Sequence, residues 1–162
     1  IFSVLFVFFI IKPSWADCFD KAGHDFQIDP NLLRAIAWNE SKINTHAIGY
    51  NKSHGYGIGL MQIDSQHFHY LLSQFGITQW HLKHDACINI YTGAYFLSLA
   101  FNKWGRNWRA VGAYNAGFAK TKKQERRRNI YISKIKSTYS IIRSNGTSNS
   151  AFGFEEQWNK KY

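Results

Sequence analysis

Apolar residues recur at helical spacing over much of the chain. After Pro30, Leu32, Leu33, Ile36 and Ala37 fall on one face of a 3.6-residue period. Asp29-Pro30 supplies an N-cap and a proline at the first helical position, so a helix is predicted from Pro30. Before it, Asp17 is positioned to cap a helix running to about Gln27. Residues 41–59 lose the helical period and hold Gly49, Gly55, Gly57 and Gly59. They predict a long polar loop in which the backbone closely approaches another group. A further helix is predicted from Asp64 to Phe75, stopped by Gly76, and Thr78 caps a short turn. Asp85 opens a long helix through Cys87, Ile90, Ala94, Leu97 and Phe101, and Asn107 opens another ending at Gly117. A last helix presents Tyr131, Ile135, Tyr139 and Ile142 as its packing face. The pattern is mainly α, without internal repeats, and 162 residues suffice for one compact domain.

The first eleven residues are apolar apart from Ser3, and Lys12-Pro13 ends the run. A membrane-spanning helix needs about 20 apolar residues, so the run fits the hydrophobic region of a secretory signal instead. Ser14 and Ala16 put small residues where signal cleavage requires them, before Asp17. Neither an initiator Met nor a basic region precedes the run, so the true start is expected to lie upstream. The expected organisation is a signal peptide at 1–16, a folded helical domain at 17–143 and a flexible tail at 144–162 that begins in SNGTSNS. Export to the periplasm makes a disulfide between Cys18 and Cys87, the two cysteines of the chain, the natural expectation. Closing a loop of roughly 70 residues contributes about 4 kcal/mol on the chain-entropy view.

Composition refines this picture. The net charge is +10, and eight Lys and Arg face one Glu between Lys120 and Lys136. Such a run is ordinarily a solvated face. Its functional reading is attraction to an anionic partner or surface. Aromatic residues reach 17%, more than a core of this size needs, which suits carbohydrate or nucleic acid. Export argues against nucleic acid. The histidine pairs His67/His69 and His81/His84 lack the further ligands of a zinc site, so neither metal nor cofactor is expected.

Glu40 continues the stripe of Leu33 and Ile36, and a carboxylate on an apolar face is out of place unless it has chemical work. Desolvation there would raise its pKa and suit it to protonating a leaving oxygen. Three segments occur in order: Ala37-Trp38-Asn39-Glu40-Ser41, Gly59-Leu60-Met61-Gln62-Ile63 and Ala113-Tyr114-Asn115-Ala116-Gly117. Together they resemble the signature motifs of the goose-type-lysozyme-like lytic transglycosylases. The likeness is strongest to the small exported branch of IagB/IpgF-type invasion proteins that accompanies type III and type IV secretion and conjugation.

The resemblance implies a lysozyme-like helical domain, with the polar loop forming part of a glycan cleft. It implies Glu40 as acid and then base, forming a 1,6-anhydro-N-acetylmuramic acid product without consuming water. Ser41 would position the site. Gly59, Leu60, Met61 and Gln62 would line the cleft, Met61 by an apolar contact and Gln62 by a hydrogen bond. Tyr114, Asn115 and Tyr131 would reach the acid or the sugar from other helices. The implied partners are peptidoglycan strands and a type III or type IV secretion or pilus component, with the enzyme a monomer. One departure stands out, because Gly57 occupies a position where this branch often carries an acid. Asp64 is the nearest carboxylate, and its place just after Ile63 suits a helix N-cap. A hydrolytic muramidase, which ordinarily needs a second carboxylate, and a peptidoglycan-binding scaffold are the alternatives.

Overall fold

The computed structural model describes residues 15–50 and 55–145, with the side chains of residues 15–17 outside the description. Residues 1–14 of the expected signal peptide (1–16) and residues 146–162 of the expected tail (144–162) lie outside the described residues. Helices α1 (Trp15–Phe26) and α2 (Pro30–Ser41) are followed by strands β1 (Ile48–Tyr50), β2 (Tyr56–Ile58) and β3 (Ile63–Asp64). Then come α3 (Phe68–Phe75), α4 (Gln79–His84), α5 (Ala86–Trp104), α6 (Trp108–Ala116) and α7 (Lys122–Asn145). The mainly helical class expected from the sequence is present.

Most helix ends follow the capping residues read from the sequence. Asp29, Thr78, Asp85 and Asn107 each accept a backbone N–H at the start of a helix. Gly76 ends α3 in the left-handed conformation. Helix α1 begins at Trp15, two residues ahead of the expected cap Asp17, and α7 runs on to Asn145.

The stretch expected to be loop contains a small antiparallel sheet in the order β1-β2-β3, pairing Gly49 with Gly57 and Gly57 with Asp64. Its strands are two or three residues long and glycine-rich, too short to show the alternation that marks a strand.

Helix α5 lies at the centre, packed on α1 and α6, while α7 packs across α2 and α6. Leu32, Leu33, Ile36, Ile90, Leu97, Val111 and Ile135 are fully buried between them. The Cys18–Cys87 disulfide joins α1 to the start of α5. Buried Asp29 also accepts a hydrogen bond from Tyr139 Oη at 2.5 Å, fastening the start of α2 to α7. Among the described residues no helix is long and apolar enough to cross a membrane.

Candidate active site

Glu40 lies in the last turn of α2, one turn beyond buried Ile36, and Lys42 closes the helix in the left-handed conformation. The helix thus delivers a carboxyl group to the rim of the core rather than to open water. Tyr131, buried on α7, donates its hydroxyl to Glu40 Oε1 at 2.6 Å. Burial raises the Glu40 pKa above the ordinary 4.5, and the Tyr131 hydrogen bond opposes that rise without cancelling it. The Tyr131 phenol is pushed well up, chiefly by burial and then by the Glu40 charge. Tyr114 is shifted the same way for the same two reasons. Both phenols therefore stay protonated as donors. The pairing suits an acid that keeps its proton to higher pH than an exposed glutamate and is held in one orientation.

Ser41 Oγ lies 2.9 Å from the Leu60 carbonyl and 3.2 Å from that of Ala37, with its proton directed to these acceptors. It ties the end of α2 to the turn after β2. That turn is Gly59-Leu60-Met61-Gln62. Gly59 has a φ of +74°, and a Cβ there would fall 2.2 Å from Asn89 Nδ2, so both conformation and space require glycine. Gln62 adopts a left-handed φ of +49°, which turns its side chain back under the sheet. Its Nε2 donates to the carbonyls of Gly59 at 2.9 Å and Ala47 at 3.3 Å. Its Oε1 lies against the paired glycines Gly49 and Gly57, where a Cβ would fall 2.4 and 2.8 Å away. The close approach expected of this glycine-rich stretch is made to Gln62 at Gly49 and Gly57, to Asn89 at Gly59 and to Ser65 at Gly55.

The turn places Gly59, Leu60 and Met61 otherwise than expected. Leu60 and Met61 are fully buried, with Met61 packed onto α5 at Gly93, so their side chains do not line the cleft. The reason is the turn itself, which points both inward. Buried Gly59 likewise serves the turn rather than the cleft surface. What Met61 offers the site is its carbonyl, which accepts the Tyr114 hydroxyl at 2.8 Å. Gln62, Tyr114 and Asn115 do line the cleft beside Glu40.

This cleft is a pocket of about 670 Å³, and Asp64, Lys123 and Arg127 also form its walls. A second lobe of about 620 Å³ shares Gln62, Asp64, Tyr114 and Asn115 and continues past Tyr70, Phe96 and Phe118. The groove is therefore polar and basic around Glu40 and aromatic at the other end, the mixture a sugar chain requires. Asp64 does two things. It caps the short 3₁₀ turn Ser65–His67, accepting from Gln66 N at 2.9 Å, and it faces the same cleft as Glu40 from the strand position opposite Gly57.

Sequence reasoning missed Asn89. This buried residue on α5 accepts from Met61 N at 2.8 Å and donates to the carbonyls of Ile58 and Leu82, both at 2.9 Å. It holds the Gly59–Gln62 turn against the core. Its signal in the sequence is an amide set between Ile88 and Ile90 on the inward face of α5. His81 and His84 serve local structure. His81 completes the capping box at Thr78, and His84 stacks on Trp80. Among the described residues no group of three or more His, Cys, Asp or Glu is arranged to hold a metal ion.

The profile of the transglycosylase SLT domain matches residues 17–136. Over 129 residues the chain is 58% identical to the X polypeptide of Escherichia coli, a match covering 80% of this chain and 76% of that protein. It is 41% identical over 129 residues to invasion protein IagB of Salmonella typhimurium, covering 80% and 79% of the two chains. Protein IpgF of Shigella flexneri is 38% identical over 125 residues, with 77% and 82% covered. Among solved structures, an inactive mutant of the lytic transglycosylase Slt from Pseudomonas aeruginosa superposes with a TM-score of 0.63 at 20% identity. That match takes in 80% of this chain and 24% of Slt, so this chain spans about a quarter of the larger protein and the likeness is one of fold.

Proposed function

Because the chain belongs to the transglycosylase SLT-domain family, in the branch of IagB and IpgF, and is by that kinship a peptidoglycan lytic transglycosylase, we propose that Glu40 alone carries its acid and base steps. The observation that carries this reading is the mostly buried Glu40 carboxyl, raised in pKa and held by Tyr131 at the wall of a glycan-sized cleft.

Tyr131 occupies Oε1, which leaves Oε2 to give its proton to the glycosidic oxygen between N-acetylmuramic acid and N-acetylglucosamine. As the C1–O4 bond breaks, the C6 hydroxyl of the same muramic acid attacks C1. The proton of that hydroxyl passes to the Glu40 carboxylate, which restores the acid. A C1–O6 bond replaces the C1–O4 bond, and no water is consumed. The attacking hydroxyl is held within the bound sugar at high effective concentration, so no second carboxylate is needed to activate it. Tyr114, Ser41 and the internally bonded Gln62 support the scaffold around Glu40, while Asn115 faces the sugar.

The printed name of IagB, an invasion protein, supports placing the enzyme where an envelope-spanning apparatus needs the wall opened locally. The peptidoglycan substrate and the apolar run ahead of Asp17 support export to the periplasm. One observation favours a second reading. Asp64 faces the same cleft as Glu40, where a second carboxylate would activate water for muramidase-type hydrolysis.

Mass analysis of the products from purified sacculi tests the two. Transglycosylation yields muropeptides ending in 1,6-anhydro-N-acetylmuramic acid, one water lighter than reducing-end products, and Asp64→Asn leaves that product type in place. A digest dominated by reducing-end sugars and lost on Asp64→Asn establishes hydrolysis instead.

A further inference from the structure

The basic segment of α7 divides into cations with different surroundings. Arg128 is fully buried, and its guanidinium caps the carbonyls of Gly117 at 2.6 Å and Ala119 at 2.8 Å while pairing with Glu125. Arg109 shares that carboxylate, and Arg128 and Arg109 together hold the Glu125 pKa down to about 2. Lys120, Lys122 and Arg126 border a separate open groove with Glu125 and Ile130. Lys136 lies over the Trp108 ring. Lys123 and Arg127 differ from all of these, because they line the Glu40 cleft.

Helical phase puts them there. Arg127 and Lys123 precede Tyr131 by four and eight residues, which places their backbones about 6 and 12 Å along the α7 axis from that of Tyr131. Their directions drift by only about 40° and 80° from that of Tyr131. Among the described residues neither cation has a carboxylate within 4.0 Å, and the side-chain hydrogen bond of Arg127 is a long one to Gln124 at 3.4 Å. Glu125, the nearest acid in sequence, is taken by Arg109 and Arg128. Two exposed cations with no carboxylate partner therefore border the cleft that holds the proposed acid.

We propose that Lys123 and Arg127 form an anion-binding wall that holds the carboxylates of the peptide stems on bound muramic acid residues, so that the enzyme selects stem-bearing strands over uncharged glycan. The inference rests on the cleft being the peptidoglycan site. A guanidinium presents a planar fork to a carboxylate, and the ammonium one turn further on reaches a second charge along the same stem or strand. The aromatic lobe at the far end offers no such pairing and is left to sugar faces.

Calorimetric titration of the full chain carrying Glu40→Gln, which prevents turnover, tests this with three probes. The first is a glycan fragment with intact stems. The second is the same fragment after amidase treatment, which keeps one lactyl carboxylate per muramic acid. The third is uncharged N-acetylglucosamine hexamer. Adding Lys123→Gln and Arg127→Gln is expected to weaken the first by about tenfold, the scale of two partly exposed ion pairs, and to flatten its salt dependence. The second weakens less and the third stays within error. Lys123→Arg with Arg127→Lys, which keeps both charges, restores most of the first. An equal loss on all three probes, or no loss on the first, overturns the proposal while leaving cleavage by the unmutated chain intact. If the chain with Glu40→Gln alone binds none of the probes, the peptidoglycan reading of the cleft falls with it.

Discussion

Replacing Glu40 with Gln separates chemistry from folding, and the two are expected to move in opposite directions. The amide keeps an Oε1 acceptor for Tyr131, 2.6 Å away in the native site, but has no proton to transfer. Losing a general acid removes 10²–10⁴-fold of rate, about 3–5 kcal/mol of transition-state stabilisation. Stability changes through the raised pKa. Burial is the larger influence on Glu40 and the Tyr131 hydrogen bond the smaller, so the folded chain holds this proton to higher pH than the unfolded chain does. Native stability therefore falls as pH rises from the ordinary value of 4.5 to the raised folded value, and this contribution is level outside that window. Gln carries no charge at any of these pH values. The variant should melt at a higher temperature than the native chain near pH 7.5, with the advantage gone below about pH 4. Sacculus turbidity assays measure the first effect and thermal unfolding at the two pH values the second. Turnover near the native rate would remove Glu40 from the mechanism, and a melting difference independent of pH would refute the desolvation argument.

Three further expectations follow from particular contacts. Tyr131→Phe deletes the hydrogen bond that opposes the rise in the Glu40 pKa, so the alkaline fall in activity should move to higher pH, with a rate loss of about tenfold from the lost hydrogen bond; an unmoved pH profile means that Tyr131 acts only as core. Asn89→Leu leaves the Met61 N–H and the carbonyls of Ile58 and Leu82 without their partner, which should cost at least about 3 kcal/mol in urea unfolding, and a loss under 1 kcal/mol would show that the turn holds without it. Cys18→Ser opens the Cys18–Cys87 crosslink between residues 69 apart and should lower stability by about 4 kcal/mol or less, while non-reducing mass spectrometry of the native protein should read a single disulfide; two free thiols would contradict the pairing.

What the sequence determined by itself was local. Asp29, Thr78, Asp85 and Asn107 announce helix starts because a capping side chain bonds a backbone N–H only two or three residues away. The apolar spacing from Leu32 to Ile36 likewise places Glu40 on an inward face, since one helical period fixes both. The three motifs were legible as short strings, but nothing in a string says which way its side chains point. That was left to tertiary structure. The left-handed Gln62 and the grip of Asn89, 28 residues beyond Met61, turn Leu60 and Met61 into the core. The three-stranded sheet formed where glycine and very short strands erase alternation, because its pairing is set by partners across the chain rather than along it. Tyr131 meets Glu40 across 91 residues, through the packing of α7 on α2. The basic run, uniform in sequence, was sorted by the same packing into buried Arg128, outward Lys122 and cleft-facing Arg127. A helix exposes different faces to different neighbours, and only the docked neighbours decide which charge is buried, which is solvated and which faces the cleft.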